Sequence, residues 1–307
     1  MAITAAMVKE LRELSGAGMS ACKNALVDAN GDVARAVEIL REKGLAAAAK
    51  KAGRIAAEGL VMSALSDDRQ KGAIVEVNSE TDFVAKNEDF IAFVKNVAVQ
   101  ALGSSATTVE ALLTEKWVAD PSVTVQGVLA QKIATIGENI GIRRLERYSV
   151  SGAGAIVDYI HGGGRVGVML ELSADTVNDA VIEAGRNVCM QIAAMSPQFV
   201  DRADVPEDYL TKEREILTQQ TMAEGKPANI AEKMVEGRLN KALKEICLVD
   251  QEYVKDGELS VGQYLDSVAK AVGGKVAISK FVRYEKGEGI EKKEENFAEE
   301  VSKAMQV

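Results

Sequence analysis

Histidine is almost missing from this chain: His161 is the only one in 307 residues, and no Ser, Cys or paired acid stands near it at a spacing that suits nucleophilic or acid–base catalysis. Cysteine is nearly as scarce. Cys22, Cys189 and Cys247 are isolated, far from any CxxC or His-rich spacing, so neither a zinc site nor a disulfide framework is expected. These absences argue against an enzyme and predict neither metal nor cofactor; a reduced cytoplasmic setting fits them. No run of about 18 apolar residues occurs, and the start, MAITAAMVKELREL, is charged at helical spacing without an apolar signal core, so a secreted or membrane-spanning protein is not expected. Excess positive charge is lacking too. A net charge of −9 argues against a protein that coats nucleic acid and points to a protein partner or a small ligand. Aromatics are only 4% against 47% hydrophobic residues, which predicts a core of Ala, Val, Leu, Ile and Met in which helices are prominent. The length allows two or three domains.

What is present begins with residues 1–54, a small module plus linker. Thr4 is placed to cap a first helix with Ala5, Val8 and Leu11 on one stripe. Gly16 and Gly18 break the chain before a second helix, Met19 to Ala29, which Asn30-Gly31 stops. Asp32 then caps a third helix with Val33, Ala36, Val37 and Leu40 in register, which we expect Gly44 to end. An Ala-rich linker to Arg54 follows. A unit of this size suits recognition better than catalysis. Met19 either offers an adaptable apolar contact or fills the three-helix core.

The most informative feature is an internal repeat. Gly72 to Thr81, GAIVEVNSET, matches Gly167 to Thr176, GVMLELSADT, position by position at an offset of 95. Each copy follows another strand-like run, Gly59 to Leu65 or Ala155 to Ile160, and so opens as a β-hairpin. Each then enters a helix, behind Asn87 or Asn178, and is closed by a later strand, Gly141 to Val150 or Lys275 to Tyr284. The expected fold is α+β, two repeated sandwich subdomains with helices on one face of a small antiparallel sheet. They span 55–151, and 152–195 with 243–289. The stretch from Leu102 to Gln126 carries no readable signal.

Between the strand and the helix of the first copy lies TDFVAKN, Thr81 to Asn87. An acid and a large aromatic at such a corner are either a turn residue and a core plug, or recognition residues held on a rigid scaffold. At the constant offset the second copy has Val177-Asn178 where the first has Asp82-Phe83, so the shared scaffold does not demand that pair. The second copy's hairpin tip instead carries His161 with Gly162-Gly163-Gly164-Arg165. Gly-rich turns can cradle phosphate, but a strand rather than a helix N-terminus follows here.

Residues 196–242 interrupt the second copy. Pro197 and Pro206 bracket a helix end and a helix start, and Gly225-Lys226-Pro227 turns the chain into a second antiparallel helix. Its stripe, Ile230, Met234, Gly237, Arg238, Leu243 and Ile246, has little in its own segment to pack on, so this hairpin either projects to pair with another chain or lies on the core. Residues 290–307 close the chain as an amphipathic helix with Phe297, Val301 and Met305.

Together the runs ELRELSGAGMSACKNAL, ANGDVARAVEILR, EVNSETDFVAKN, KIATIGENIGIRR, YIHGGGRVGV, GKPANIAEKMVEGR and FVRYEKGEGIEK, in this order across the whole chain, resemble the bacterial elongation factor Ts family. The resemblance implies a guanine-nucleotide exchange factor for elongation factor Tu that performs no covalent chemistry. It implies a ubiquitin-associated-like N-terminal domain, with Leu11, Met19 and Lys23 facing the GTPase. It maps a wedge near the partner's magnesium site onto Thr81, Asp82, Phe83 and Val84, and a second contact onto His161 and Gly162. The 196–242 insertion would be its coiled-coil or dimerisation module, consistent with a homodimer or a 2:2 complex. The alternative is a non-catalytic scaffold that binds a GTPase through the N-terminal module and the hairpin.

Overall fold

The computed structural model describes residues 3–224 and 228–291, with only the backbone course given for 228–230. The expected turn at 225–227, the side chain of Ile230 and nearly all of the C-terminal helix module therefore lie outside the described residues. The described chain is mixed helix and sheet, an α+β protein as expected, and it divides into two compact units. One comprises Met1–Met62, Val75–Glu146 and Glu285–Val307, the other Ser63–Ile74 and Arg147–Tyr284.

The N-terminal module forms three helices, α1 (Ala5–Ser15), α2 (Met19–Asp28) and α3 (Val33–Lys51). Thr4 and Asp32 cap α1 and α3 by accepting from the amides of Met7 and Arg35, and Gly16 closes α1 in the left-handed conformation. Val8, Leu11, Cys22, Ala25, Leu26, Ala29 and Ala36 form its core. Gly44 does not end α3. Its backbone stays helical and buried, and a Cβ there would make an ordinary contact, 3.6 Å from the Ala130 carbonyl oxygen, so this glycine is an interior residue of a packed helix rather than a stop. The Ala-rich stretch simply extends the helix, as its propensity favours.

The first copy continues through β1 (Glu58–Leu65), β2 (Lys71–Ser79), a single helical turn α4 (Asp82–Ala85) and α5 (Glu88–Gly103). Then come α6 (Val109–Thr114), a tight hairpin of β3 (Lys116–Trp117) and β4 (Asp120–Thr124), α7 (Val125–Ile136) and β5 (Gly141–Ser149). Strand β2 lies between β1 and β5. Phe90, Phe93, Val94, Val97 and Ala101, the face read from the sequence, are all buried in α5.

The second copy runs β6 (Gly154–His161), β7 (Val166–Ala174), α8 (Asp179–Met195), the inserted α9 (Glu207–Ala223) and α10 (Ala228–Ile246), the hairpin β8 (Glu252–Tyr253) and β9 (Asp256–Ser260), α11 (Val261–Val272) and β10 (Val276–Glu285). Strands β6 and β7 pair antiparallel from Gly154↔Ser173 to His161↔Val166, and the sheet order is β10-β7-β6, with β7 central as β2 is. Met195, expected on the buried face of α8, is 48% exposed because it is the last residue of the helix.

The inserted hairpin buries its own stripe. Val235, Leu239 and Leu243 of α10 pack with Leu217 of α9, Val205 and Cys247, and with the partly buried Phe199 and Tyr209. Gly237, expected on that stripe, is exposed. The buried positions recur every four residues, so the face is rotated from the one expected. Helix α10 runs to Ile246, the last residue of the expected stripe.

The stretch from Leu102 to Gln126 proves to be repeated structure. The hairpins β3–β4 and β8–β9 share one register, Lys116↔Thr124 and Trp117↔Asp120 against Glu252↔Ser260 and Tyr253↔Asp256. A buried glutamine reads each of them. The Gln100 side chain donates to the Lys116 carbonyl (3.2 Å) and accepts from the Val118 amide (2.7 Å). Gln191 does the same with the Glu252 carbonyl (3.0 Å) and the Val254 amide (2.8 Å). Burying an amide side chain is tolerable only when both its ends are satisfied, and here the backbone of a tight hairpin satisfies them.

Candidate partner-binding site

Phe83 stands at 81% exposure on α4, more exposed than any other large apolar residue among the described residues. The turn beneath it is fixed at both ends. Thr81 caps α4, its hydroxyl accepting from the Val84 amide (3.4 Å), and Asn87 caps α5 by accepting from the amides of Asp89 (2.9 Å) and Phe90 (3.2 Å). Ala85 is buried and Val84 half-buried, so the turn packs through one side and presents Phe83 on the other. A core plug is thereby excluded for Phe83.

Asp82 is half-buried and pairs with Lys86 one turn on (2.6 Å). The hydrogen bond from Lys86 holds its carboxyl below the usual carboxylate range, and the positive charges of Lys86 and Lys286 act in the same direction. The carboxylate is thus ionised at neutral pH. An exposed pair of this kind contributes little to stability, which leaves Asp82 free to exchange Lys86 for another cation.

The corner is anchored by residues outside the TDFVAKN stretch. The Glu138 carboxylate accepts from the backbone amides of Glu80 (3.0 Å) and Thr81 (3.1 Å) and from the Thr81 hydroxyl (2.6 Å). The Glu80 carboxylate accepts from the Asn139 amide (2.5 Å) and pairs with Arg54 (3.4 Å), while the Asn139 side chain donates to the Arg54 carbonyl (2.7 Å). Glu138 lies just past α7, which Gly137 ends in the left-handed conformation. The segment from Gly137 to Tyr148 matches that from Gly273 to Tyr284 and so marks the loop and its strand, but the match does not extend to Glu138, which stands opposite Gly274.

The second copy shows what its counterpart corner lacks. From the end of β2 to the cap Asn87 there are seven residues, Glu80 to Lys86; from the end of β7 to the cap Asn178 there are three, Asp175 to Val177. Asn178 is therefore the equivalent of Asn87, and the constant offset of the sequence repeat breaks at this corner. Phe83 sits in an inserted helical turn, with no counterpart at all rather than a substituted one.

The other expected contact residues are spread out. Leu11 has no exposed surface; its position on the inner stripe of α1 makes it part of the module's core, a correction to its expected role as a contact. Met19, at 55% exposure, and Lys23 both face outward on α2. His161 and Gly162 are exposed at the β6–β7 tip, where Gly162, Gly163 and Gly164 all take positive φ, and the Tyr159 hydroxyl lies 3.0 Å from His161 Nδ1. Among the described residues no group of three or more His, Cys, Asp or Glu side chains is placed to hold a metal ion, and no helix is long and apolar enough to cross a membrane.

Comparison with known proteins follows the same lines. A family model described as Elongation factor TS matches residues 80–288. An elongation factor Ts of Clostridium perfringens is 56% identical over 301 residues, 98% of each chain. Those of Clostridium botulinum strain Eklund 17B (52% over 303 residues, 99% of each) and Clostridium kluyveri (54% over 304 residues, 99% of each) are similar to the same extent.

Proposed function

Because the chain belongs to the elongation factor Ts family, we propose that it is a guanine-nucleotide exchange factor for the translational GTPase elongation factor Tu, acting through the Asp82-Phe83 corner. The observation that carries this reading is Phe83, exposed on a turn that the repeat scaffold does without. A nucleotide held at nanomolar affinity is bound by about 12 kcal/mol, so unaided release is slow. An exchange factor accelerates release by binding the empty GTPase more tightly than the loaded one, and linkage makes the effect reciprocal. Shifting the balance by about 10⁴ requires roughly 5.5 kcal/mol of differential binding.

Inserting Phe83 into an apolar gap of the partner contributes about 1.5–3 kcal/mol of this. Asp82, released from Lys86, competes for groups that order the partner's Mg²⁺ shell, which tolerates little distortion. The remainder comes from a wide interface to which Thr81 and Val84 at the corner, Met19 and Lys23 of the N-terminal module, and His161 and Gly162 of the second copy contribute. The chain does no covalent chemistry in this reading and works in the cytoplasm. It binds the GDP-loaded and the empty GTPase, and the helical insertion serves a homodimer or a 2:2 complex.

Stopped-flow release of a fluorescent GDP from elongation factor Tu is the test. Phe83→Ala slows release about ten- to hundredfold while its unfolding midpoint stays at the wild-type value. A folded Phe83→Ala as fast as the wild type would sink the wedge.

A further inference from the structure

Each copy of the repeat joins its first corner to the loop that follows its last helix, and only the first joint carries a second acid. The shared part is a bond from an acid to a backbone amide. Glu80 accepts from the Asn139 amide at 2.5 Å in the first copy, and Asp175 accepts from the Lys275 amide at 2.8 Å in the second. Both loops begin with a glycine in the left-handed conformation, Gly137 or Gly273, which brings the following residues onto the corner. The next residue is Glu138 in the first copy and Gly274 in the second.

Gly274 sits close enough to its corner that a Cβ would lie 3.2 Å from the Asp175 Cβ. Glu138 instead spans to its corner with a full carboxylate. One oxygen takes the two consecutive amides of Glu80 and Thr81, and the other takes the Thr81 hydroxyl. That hydroxyl has one proton. Donating it to Glu138 turns its lone pairs toward the Val84 amide, so the carboxylate orients the cap that starts α4. The extra turn and the extra carboxylate occur in the same copy, and neither occurs in the other.

We propose that Glu138 is the positioning residue of the exchange corner: it does not touch the partner but fixes the first turn of α4, so that Phe83 is held in the projecting geometry before the GTPase arrives. This rests on the exchange function proposed above and assigns a further residue to it. A side chain held in advance spends less of its binding free energy on ordering, and a loosened one loses rate even when its chemistry is intact.

The experiment is GDP release from the elongation factor Tu–GDP complex, measured over a range of exchange-factor concentrations, for Glu138→Ala, Glu138→Gln, Phe83→Ala and the double variant Phe83→Ala/Glu138→Ala. Thermal unfolding and amide hydrogen exchange at Val84 and Ala85 are followed in parallel. Glu138→Ala is expected to lower the maximal release rate about tenfold. It should speed exchange of the α4 amides while the unfolding midpoint of the chain changes little, and Glu138→Gln, whose one oxygen can still take the two backbone amides but whose NH2 group cannot accept the Thr81 hydroxyl proton, should recover the rate only in part. In the Phe83→Ala background, removing Glu138 should cost nothing more.

Independent, multiplying losses in the double variant would overturn the proposal, as would a wild-type maximal rate in Glu138→Ala beside a slow Phe83→Ala. Wild-type release by Phe83→Ala would instead overturn the wedge itself, and the positioning role with it. Should Glu138→Ala fail to fold, Glu138→Leu, which keeps the volume of the side chain, removes its acceptors and leaves the Thr81 cap in place, is read in the same way.

Discussion

The corner after β2 and the corner after β7 leave equivalent central strands and arrive at equivalent asparagine caps, yet one uses seven residues and the other three. Three residues therefore suffice to turn this strand into this helix. The additional turn buries only Ala85 fully and leaves a phenyl ring in water, which no argument from folding stability recommends. A costly feature that the scaffold demonstrably does not need is explained by what it does outside the chain. The comparison can be broken most sharply by deleting Asp82–Ala85, which leaves Glu80, Thr81 and Lys86 before Asn87 and so reproduces the shorter corner. The chain should fold with stability within about 1 kcal/mol of wild type. GDP release from elongation factor Tu should fall by more than about a hundredfold, exceeding the loss in Phe83→Ala because Asp82 goes too. A deletion variant that does not fold would show that the turn is structural after all.

A second comparison runs through the two sheets. Glu76 and Glu171 occupy matching positions on the central strands, and matching positions on the closing strands supply a cation to each, Arg144 at 2.5 Å and Lys280 at 3.3 Å. The first copy adds Arg143 (3.1 Å), the Asn78 side chain (3.0 Å) and the Gly287 amide (2.7 Å) to a carboxylate with no exposed surface. Burial by itself would raise the pKa of Glu76; the Gly287 amide, Asn78 and Arg144 outweigh it and hold the carboxyl below its ordinary value. Glu76→Ala strands two guanidinium groups and should cost about 3–5 kcal/mol in urea unfolding, whereas Glu171→Ala, whose Lys280 side chain is half exposed, should cost about 1–3 kcal/mol. The sign of the pH effect follows from the depressed pKa. Glu76 stabilises the fold above the carboxylate range, and that contribution disappears as pH falls through its folded value, so Glu76→Gln should flatten the loss of stability below about pH 4. Equal costs for the two alanine variants would mean that the extra donors of the first copy add nothing.

The parts legible in the sequence were those encoded locally. Thr4, Asp32, Asn87 and Asn178 each cap the helix assigned to them, because a cap is a contact between near neighbours in the chain. The opening strands of both copies were legible through the GAIVEVNSET and GVMLELSADT match. What failed needed information from elsewhere in the chain. Gly44 looks like a stop until the Ala130 backbone lies beside it. Leu11 looks available until the three-helix core closes over it. The hairpins β3–β4 and β8–β9 share a register although only Val118/Val254 and Asp120/Asp256 are identical between them, since backbone bonds to Gln100 and Gln191 hold both. At the fixed offset Phe83 falls opposite Asn178, which is a helix cap, because four residues enter the first copy at this corner. Asp82 and Phe83 could be singled out from the sequence, but Glu138 could not, because nothing local says that a loop acid after α7 reaches back to the amides of Glu80 and Thr81.

The realignment of the corners rests on Asn87 and Asn178 being the same structural residue, and this makes the smallest of the predicted effects a direct check. Each side chain accepts from the amide three residues on, Phe90 at 3.2 Å and Val181 at 3.0 Å, at the start of a long helix with a buried face. Asn87→Ala and Asn178→Ala should each lower stability by about 1 kcal/mol in urea unfolding, and Asn→Asp at either site should be nearly neutral, since aspartate caps as well. The corners differ in one respect that bears on rate. Asn87 directly follows the turn that carries Phe83, so its loss frays the C-terminal side of that turn as well as the start of α5, whereas Asn178 supports no such turn. Asn87→Ala should therefore slow GDP release a few-fold, and Asn178→Ala should leave it unchanged at equal stability cost. If the two variants were equally slow, the rate would follow the stability of the whole chain, and the distinction between a working corner and a scaffold corner would fail.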